Sequence, residues 1–349
     1  MDCEISKIAE IYNMLGDDYS KEIYGLRVLY SLTNDYKYID KLISKTLPGK
    51  WLESKLLGMK DKDILLYGAG IRGRILARIY SNYFDVVIDN DYEMQGKELE
   101  GLKIVALSEA LENYPDAIVV LSMKYNSNLV LEELVQRGVS RDRILDMGRQ
   151  ISELRNKQYF DLRELKVQEE EVFVDCGAFD GDTSIEFKKW CKENYKHIYA
   201  FEPDEDNNSL CKQNLDEDIH KGKCTLFNKG TWSKETILEF SKNSDEASHI
   251  CEGGTEKIEV LSLDAELLHK KDEKVTFIKM DIEGAELETL KGASRIIAEQ
   301  KPKLAICVYH KPEDIFTIPE YLRTLNPSYK FYLRHYTFAE WDTVLYAIQ

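Results

Sequence analysis

One stretch, residues 172–184, constrains most strongly how this chain can fold. Val172 begins a short apolar run that predicts a buried strand of a parallel sheet. Asp175 ends that strand, and Gly177 and Gly181 allow a tight turn with close approach of a ligand to the backbone. The polar residues after Gly181 can cap the helix that is predicted next. This order of elements predicts a nucleotide-sized crevice at the carboxyl edge of a sheet.

The charge at the end of this strand bears on the choice of ligand. Dinucleotide sites present backbone N–H groups to a pyrophosphate, which the carboxylate of Asp175 would repel. A carboxylate suits a cation instead, and S-adenosylmethionine carries an ammonium and a sulfonium but no phosphate. Glu202 ends a second predicted strand, where an acidic side chain can bind both ribose hydroxyls. An adenosine ligand therefore fits, whether it is S-adenosylmethionine or NAD.

Four motifs follow one another in the second half of the chain. They are Asp175-Cys-Gly-Ala-Phe-Asp-Gly-Asp-Thr-Ser, Phe201-Glu-Pro, Leu263-Asp264 and Ile278-Lys-Met-Asp-Ile-Glu-Gly-Ala-Glu286. Together they resemble the FkbM-type S-adenosylmethionine-dependent methyltransferases over residues 171–349. The resemblance implies a class I methyltransferase fold with a mostly parallel seven-stranded sheet. It also implies O-methylation of a hydroxyl on a sugar, glycan intermediate or related metabolite.

The resemblance also implies which residues bind the cofactor. Asp175, Gly177, Gly181 and Glu202 are expected to bind S-adenosylmethionine. Asn228 follows the third predicted strand and is expected near the adenine ring.

Three residues at the ends of the fourth and fifth predicted strands are candidates for catalysis. A hydroxyl acceptor needs a base, and His310 is the first choice because an unperturbed imidazole titrates near neutrality. Asp281 and Glu283 could act as the base or hold sugar hydroxyls. The alternatives are a structural histidine and two carboxylates that cap the following helix. His249 and His335 are weaker candidates.

The same residues offer oxygen and nitrogen ligands for Mg²⁺ or another divalent cation. No third carboxylate is identifiable in the right place from the sequence. We therefore expect no metal site.

A second α/β unit is predicted over residues 61–148. Gly68, Gly70 and Gly73 directly follow a predicted strand, and Asp89 ends the next strand about twenty residues later, as in dinucleotide sites. NAD or a nucleotide sugar could bind there, although acidic residues after Asp89 do not suit the 2′-phosphate of NADP. The same glycines can serve only the packing of a helix on the sheet, and we favour that role.

Length and charge set limits on organisation and partners. The 349 residues suffice for two domains. We predict an α/β protein with a helical segment at 1–60, a Rossmann-like domain at 61–148, a connector at 149–170 and a second Rossmann-like domain, the methyltransferase domain, at 171–349. The formal net charge of -16 argues against nucleic acids and anionic membranes as partners. A homodimer is compatible with this organisation.

Cysteine usage indicates the compartment. The 7 cysteines are scattered without a Cys-x-x-Cys pair, as expected for reduced thiols in the cytoplasm. The acidic start does not resemble a signal peptide, and no apolar run approaches the length needed to cross a bilayer.

Two other functions stay open at this stage. A nicotinamide-dependent sugar-modifying enzyme would use Gly68, Gly70, Gly73 and Asp89, but the chain shows no Tyr-x-x-x-Lys pair for hydride transfer. A non-catalytic subunit would only bind ligands in both crevices. The polar loop over residues 241–256 could cover a substrate or act as a connector, and it does not identify the acceptor.

Overall fold

The computed structural model describes residues 2–123, 125–241, 249–250, 256–270 and 273–349. Within these residues the chain divides into two compact units. The smaller unit comprises Thr33–Gln158 and His335–Trp341. The larger unit comprises Met1–Leu32, Tyr159–Arg334 and Asp342–Gln349.

The helices of the described residues are α1 (Asp2–Met14), α2 (Asp18–Thr33), α3 (Lys37–Lys45), α4 (Leu47–Leu57), α5 (Ile71–Tyr80), α6 (Leu107–Asn113), α7 (Ser127–Gln136), α8 (Met147–Arg155), α9 (Asp182–Trp190), α10 (Glu205–Asn214), α11 (Asp216–His220), α12 (Leu263–Leu267), α13 (Glu286–Lys291), α14 (Ser294–Gln300) and α15 (Asp314–Leu325). None of these described helices is long and apolar enough to span a membrane.

The strands of the described residues are β1 (Ile64–Tyr67), β2 (Val86–Ile88), β3 (Glu98–Leu99), β4 (Leu102–Val105), β5 (Ile118–Leu121), β6 (Ile144–Asp146), β7 (Glu171–Cys176), β8 (Tyr195–Phe201), β9 (Cys224–Phe227), β10 (Gly230–Thr231), β11 (Thr236–Ser241), β12 (His249–Ile250), β13 (Glu256–Leu261), β14 (Phe277–Met280), β15 (Lys303–Cys307), β16 (Lys330–His335) and β17 (Thr343–Ile348).

The smaller unit is built on a mixed sheet in the order β3-β4-β2-β1-β5-β6. The strands from β4 to β6 run parallel, and β1 is buried along its whole length, as its apolar run predicts. The sequence analysis missed the antiparallel pair β3–β4. Its two-residue connection has positive φ at Glu100 and Gly101, which is typical of a hairpin turn.

The larger unit is built on a sheet that has seven strands among the described residues, in the order β16-β17-β15-β14-β7-β8-β9. The strands from β15 to β9 are parallel, and β17 pairs antiparallel with β15. Phe173 of β7 stacks on Phe187 of α9, with ring centroids 4.3 Å apart, and covers one face of the sheet. The predicted α/β fold with a mostly parallel sheet is confirmed. The alternating apolar and polar residues at 236–240 and 257–261 predict an antiparallel pair, and β11 and β13 form it in a separate small sheet.

The sequence predicts one helix over residues 285–299, but the structure divides this stretch into α13 and α14. The carbonyl oxygen of Gly292 accepts hydrogen bonds from the backbone N–H of Asp264 and the hydroxyl of Ser262, both at 2.8 Å. The carboxylate of Asp264 accepts from the N–H groups of Arg295 and Ile296 in the first turn of α14. The Leu263-Asp264 motif therefore anchors and caps this helix.

The first two helices belong to the larger unit. Leu15 forms a β-bridge with Phe331, and the hydroxyl of Ser20 accepts a hydrogen bond from the N–H of Leu333 at 2.9 Å. The compact units thus divide the predicted helical segment of residues 1–60, and the predicted domain boundaries stay predictions.

Candidate active site

The turn after β7 brings the first motif against the end of β14. Gly177 has φ +78, and a Cβ at this position would lie 2.0 Å from the carbonyl oxygen of Asp281. Gly181, the residue before α9, has φ +89, and its Cβ would lie 3.2 Å from the side chains of Cys211 and Leu215. Glycine is therefore required at both positions, for the backbone conformation and for the close approach.

Asp175 lies fully buried at the end of β7. Its Oδ1 is 3.1 Å from Nζ of Lys279, and its Oδ2 accepts a hydrogen bond of 2.8 Å from Ser184. Lys279 also donates to the carbonyl oxygens of Cys176 and Gly177, at 3.3 and 2.6 Å. Because Asp175 is neutralised inside the protein, its direct contact with a cationic cofactor stays a prediction.

Lys279 is a residue of this site that the sequence analysis missed. Burial lowers its pKa, but the charges of Asp175 and Asp281 outweigh burial and raise the pKa above its ordinary value. Lys279 is therefore charged, and its hydrogen bonds to the backbone hold the turn after β7 in place. A lysine inside an apolar strand of a parallel sheet was the available signal, because such a position is buried on both faces.

Glu202, directly after β8, closes the side of the crevice where ribose binding is predicted. Its carboxylate accepts hydrogen bonds from the N–H groups of Phe179 and Asp204, at 2.8 and 2.9 Å. Burial raises the pKa of Glu202 to about 7, although these two hydrogen bonds oppose the shift. Asn228 follows β9 and donates to the carbonyl oxygens of Glu202 and Pro203. Glu202 and Asn228 therefore lie together, as the predicted adenosine site requires.

The predicted catalytic residues lie together at the ends of β14 and β15. Nε2 of His310 is 3.5 Å from Oδ1 of Asp281 and 3.3 Å from Oε2 of Glu283. On the other side of the ring, Nδ1 lies 2.9 Å from Oε1 of Glu286. Glu286 is fully buried at the start of α13 and accepts a hydrogen bond from the N–H of Ile282. Glu286 was not predicted from the sequence to be part of the site.

These contacts change the charge expected on His310. Burial lowers the pKa of its imidazole, but the carboxylates of Glu283, Glu286 and Asp281 outweigh burial and raise it to about 10. The reason for choosing His310 as the base, a pKa near neutrality, does not hold, because the imidazole already carries a proton there. Its part in catalysis stays a prediction.

Two tyrosines orient Asp281. The hydroxyl of Tyr159 donates to Oδ2 at 2.8 Å, and that of Tyr309 donates to Oδ1 at 3.1 Å. Burial raises the pKa of Asp281, but Lys279 and His310 outweigh burial and lower it below its ordinary range. The sequence predicts only packing for Tyr159, in the connector, because 122 residues separate it from Asp281 and no motif links them.

The second half of the chain matches a known protein family. Residues 175–345 match the Methyltransferase FkbM domain family, and the match spans the glycine turn and the ends of β14 and β15.

Residues 175–345 are an FkbM methyltransferase domain.

The chain is thus a S-adenosylmethionine-dependent methyltransferase, and S-adenosylmethionine is its cofactor. Methyltransferase FkbM from Methylobacillus flagellatus KT has a similar fold, with 20% identity, a TM-score of 0.52 and coverage of 92% of this chain and 100% of that chain. The class I methyltransferase fold is confirmed. No curated protein sequence matches the chain.

Two other solved structures are more distant. Precorrin-6y C5,15-methyltransferase from Geobacter metallireducens GS-15 has 16% identity and a TM-score of 0.33, and the match covers 53% of this chain and 84% of that one. Aeropyrum pernix fibrillarin, solved with bound S-adenosyl-L-methionine, has 12% identity and a TM-score of 0.33, with coverage of 54% and 71%. These similarities are too low to support a conclusion.

Packing accounts for two glycines of the turn after β1 in the smaller unit. A Cβ on Gly73 would lie 1.7 Å from the carbonyl oxygen of Gly68. Gly68 itself has φ +103, and its Cβ would lie 2.6 Å from the hydroxyl of Ser122. Both glycines are therefore needed for α5 to pack on β1.

Gly70 leaves space that a ligand could occupy, whereas the carboxylate of Asp89 already accepts two hydrogen bonds from the backbone. A Cβ on Gly70 would meet no described atom within 4 Å. The carboxylate of Asp89 accepts hydrogen bonds from the N–H groups of Ala69 and Asp91, at 2.7 and 2.9 Å, and so closes the turn. Binding of NAD or a nucleotide sugar here stays a prediction.

The weaker histidine candidates stay predictions. His335 is buried, and the side chain of His249 lies outside the described residues. The predicted substrate loop over residues 241–256 is also mostly outside the described residues.

Proposed function

We propose that this enzyme O-methylates a hydroxyl of a sugar, glycan intermediate or related metabolite. The observation that supports the proposal is the acidic cluster of Asp281 and Glu283 around His310, next to the glycine turn of the cofactor crevice. Carboxylates accept hydrogen bonds from sugar hydroxyls, and a hydroxyl acceptor must lose its proton during transfer.

In this proposal the acceptor oxygen attacks the methyl carbon while the carbon–sulfur bond of the sulfonium breaks. The hydroxyl proton passes to a carboxylate of the cluster. Glu283 is our choice, because its side chain is 37% exposed and reaches the solvent side of the site. Asp281 is held by two tyrosines and has a lowered pKa, so it is better suited to orient the acceptor.

Binding of the cofactor is tested first. Thermal unfolding of the full chain is measured with S-adenosylhomocysteine, with NAD and with neither. Ligand at about a hundred times its dissociation constant should stabilise the protein by about 2.7 kcal/mol. A shift with S-adenosylhomocysteine supports the proposal. A shift with NAD alone would move the active site to Gly68, Gly70, Gly73 and Asp89.

The acceptor class is tested by turnover. Sugars and glycan intermediates are incubated with S-adenosylmethionine, and release of S-adenosylhomocysteine is followed together with the mass of the product. Glu283→Gln should lower turnover at least tenfold and leave the affinity for S-adenosylhomocysteine unchanged. The control is Glu299→Gln, on the exposed side of α14. Methylation of another class of acceptor alone, such as amines, would contradict the proposal.

The proposal extends to partners and location. The formal net charge of -16 supports a small-molecule or glycan acceptor over a nucleic acid. Buried free thiols at Cys176, Cys211 and Cys307 support a cytoplasmic location. We also propose a homodimer, and light scattering of the purified protein tests it.

A further inference from the structure

Glu286 supplies the third carboxylate that the sequence analysis did not find beside Asp281 and His310. Ligand atoms of Asp281, Glu286 and His310 lie within 4.8 Å of one another, and Oε2 of Glu283 lies 3.3 Å from Nε2 of His310. We propose that this cluster binds one divalent cation of the Mn²⁺ type, through Nε2 of His310 and the carboxylates of Asp281 and Glu283, and that the ion displaces the Nε2 proton to the solvent.

The buried members of the cluster have unused ligand atoms. The side chain of His310 is 8% exposed, and its Nε2 makes no aligned hydrogen bond with a described residue, despite the nearby carboxylates. Oε2 of the fully buried Glu286 likewise has no hydrogen-bond partner among the described residues. Buried polar atoms without partners are costly, so an unpartnered Nε2 beside two carboxylates points to a ligand at that position.

The charge of the cluster also calls for a cation. Three carboxylates surround one imidazole, so the negative charge is in excess whether or not the imidazole is protonated. The neighbouring lysines do not balance this excess, because Lys279 is shared with Asp175 and Lys311 donates to the carbonyl oxygen of Gly284 at 2.5 Å. A bound divalent cation would offset this excess.

The orientation of the imidazole suits metal binding at Nε2. A histidine that binds a metal usually donates its other ring N–H to a carboxylate, which fixes the ring and the tautomer. Glu286 stands at that position, with Oε1 2.9 Å from Nδ1, and is itself fixed by the N–H of Ile282. Asp281 and Glu283 then face Nε2 from the solvent side, and their side chains are 24% and 37% exposed, which leaves a path for the ion.

The ligand set indicates the kind of ion. Carboxylates suit Mg²⁺ and Mn²⁺, and imidazole suits first-row transition metals. Mn²⁺ accepts both, whereas no described cysteine lies in the cluster to favour Zn²⁺. Mn²⁺ is therefore the probe of choice.

The test measures binding of Mn²⁺ directly. The 349-residue chain is treated with EDTA, desalted and titrated with Mn²⁺, and the electron paramagnetic resonance signal of free Mn²⁺ reports binding. We expect one ion per chain in the wild type and at least tenfold weaker binding in Asp281→Asn. Glu283→Gln, at the more exposed position, should weaken binding as well. Circular dichroism checks that each variant is folded.

Asp216→Asn is the matched control. Asp216 also pairs with a histidine, His220, at 3.2 Å, but this pair is exposed and has no third ligand. Its substitution should leave the affinity unchanged. Absence of binding at millimolar Mn²⁺, or equal affinity in the wild type, Asp281→Asn and Glu283→Gln, would overturn the proposal.

The titration needs neither cofactor nor acceptor. Failure of the metal site would therefore leave the shift with S-adenosylhomocysteine intact, and failure of methyl transfer to sugars would leave Mn²⁺ binding intact.

Discussion

At the scale of single residues, the buried pair of Asp175 and Lys279 links the cofactor turn to β14. Both side chains are almost completely buried, so neither charge is solvated by water. The pair contributes little net stabilisation, because burial of the two charges offsets their attraction. Removal of one partner is costly, because the other charge would then be buried alone. Lys279 also donates hydrogen bonds to the carbonyl oxygens of Cys176 and Gly177. Loss of the lysine would therefore disturb the turn as well as leave Asp175 unpaired.

Lys279→Met should lower the free energy of unfolding by about 3–5 kcal/mol, because Asp175 would stay behind as an uncompensated charge. Urea unfolding at neutral pH measures the change. Lys189→Met is the control, because Lys189 pairs with Glu186 on the solvent-exposed surface. This substitution should lower the free energy of unfolding by about 0–1 kcal/mol. A loss in Lys279→Met no larger than in the control would show that the pair is not a structural requirement.

Glu202 makes stability depend on pH. Its folded-state pKa of about 7 lies above the ordinary value of 4.5, so the folded state holds an extra proton between these values. Stability should therefore fall as the pH rises through this window. As the pH rises from 4.5 to about 7, the free energy of unfolding of Glu202→Gln should increase relative to that of the wild type by on the order of 3 kcal/mol.

Urea unfolding of both proteins below and above the window measures this gain. Glu205→Gln, at an exposed position in the first turn of α10, is the control and should track the wild type. If the free energy of unfolding of Glu202→Gln and that of the wild type depend on pH in the same way, burial does not raise the pKa of Glu202.

At the scale of elements, substitutions of three glycines with positive φ distinguish the cost of backbone strain from the cost of a steric clash at the new Cβ. Gly222 has φ +68 with no described atom near its missing Cβ, Gly181 faces side chains and Gly177 faces a carbonyl oxygen. The cost of substitution should rise in that order, because a side chain can move aside and a strand end cannot.

Gly222→Ala should cost about 1–2 kcal/mol from conformation alone. Gly181→Ala should cost more, and Gly177→Ala should cost most and weaken binding of S-adenosylhomocysteine. Thermal unfolding and ligand titration measure the series. Equal costs for Gly177→Ala and Gly222→Ala would mean that the contact between the turn and Asp281 is not tight.

The strands were largely predictable at this scale, and the helices less so. The apolar run of β1 gives the observed bounds, because a strand buried on both faces has no polar position. The break between α13 and α14 was not predictable, because it depends on hydrogen bonds from Ser262 and Asp264, about thirty residues away.

At the scale of the whole molecule, α2 belongs to the larger unit through Ser20. Its buried hydroxyl accepts hydrogen bonds from the N–H of Leu333 and from Arg334, at 2.9 and 3.0 Å. Ser20→Ala should lower the free energy of unfolding by about 1–3 kcal/mol, because the N–H of Leu333 would lose its partner. Urea unfolding measures the loss.

Ser44→Ala is the matched control, because the hydroxyl of Ser44 is exposed and bonds only within α3. It should change stability by less than about 0.5 kcal/mol. Equal effects of the two substitutions would argue against α2 as an integral part of the larger unit.

The sequence by itself determined the α/β class, the parallel sheet and the FkbM family, because these depend on apolar periodicity and on motifs that are contiguous in the chain. It also brought out Asp281, Glu283 and His310 as neighbours, since strand ends of one sheet meet at one edge.

Only the tertiary structure decided what charge these residues carry and which others join them. Glu286 turns back onto His310, Tyr159 reaches Asp281 across 122 residues, and Lys279 neutralises Asp175. A pKa depends on burial and on charges within a few ångströms. Those distances are set by how the elements pack, and sequence spacing does not contain them.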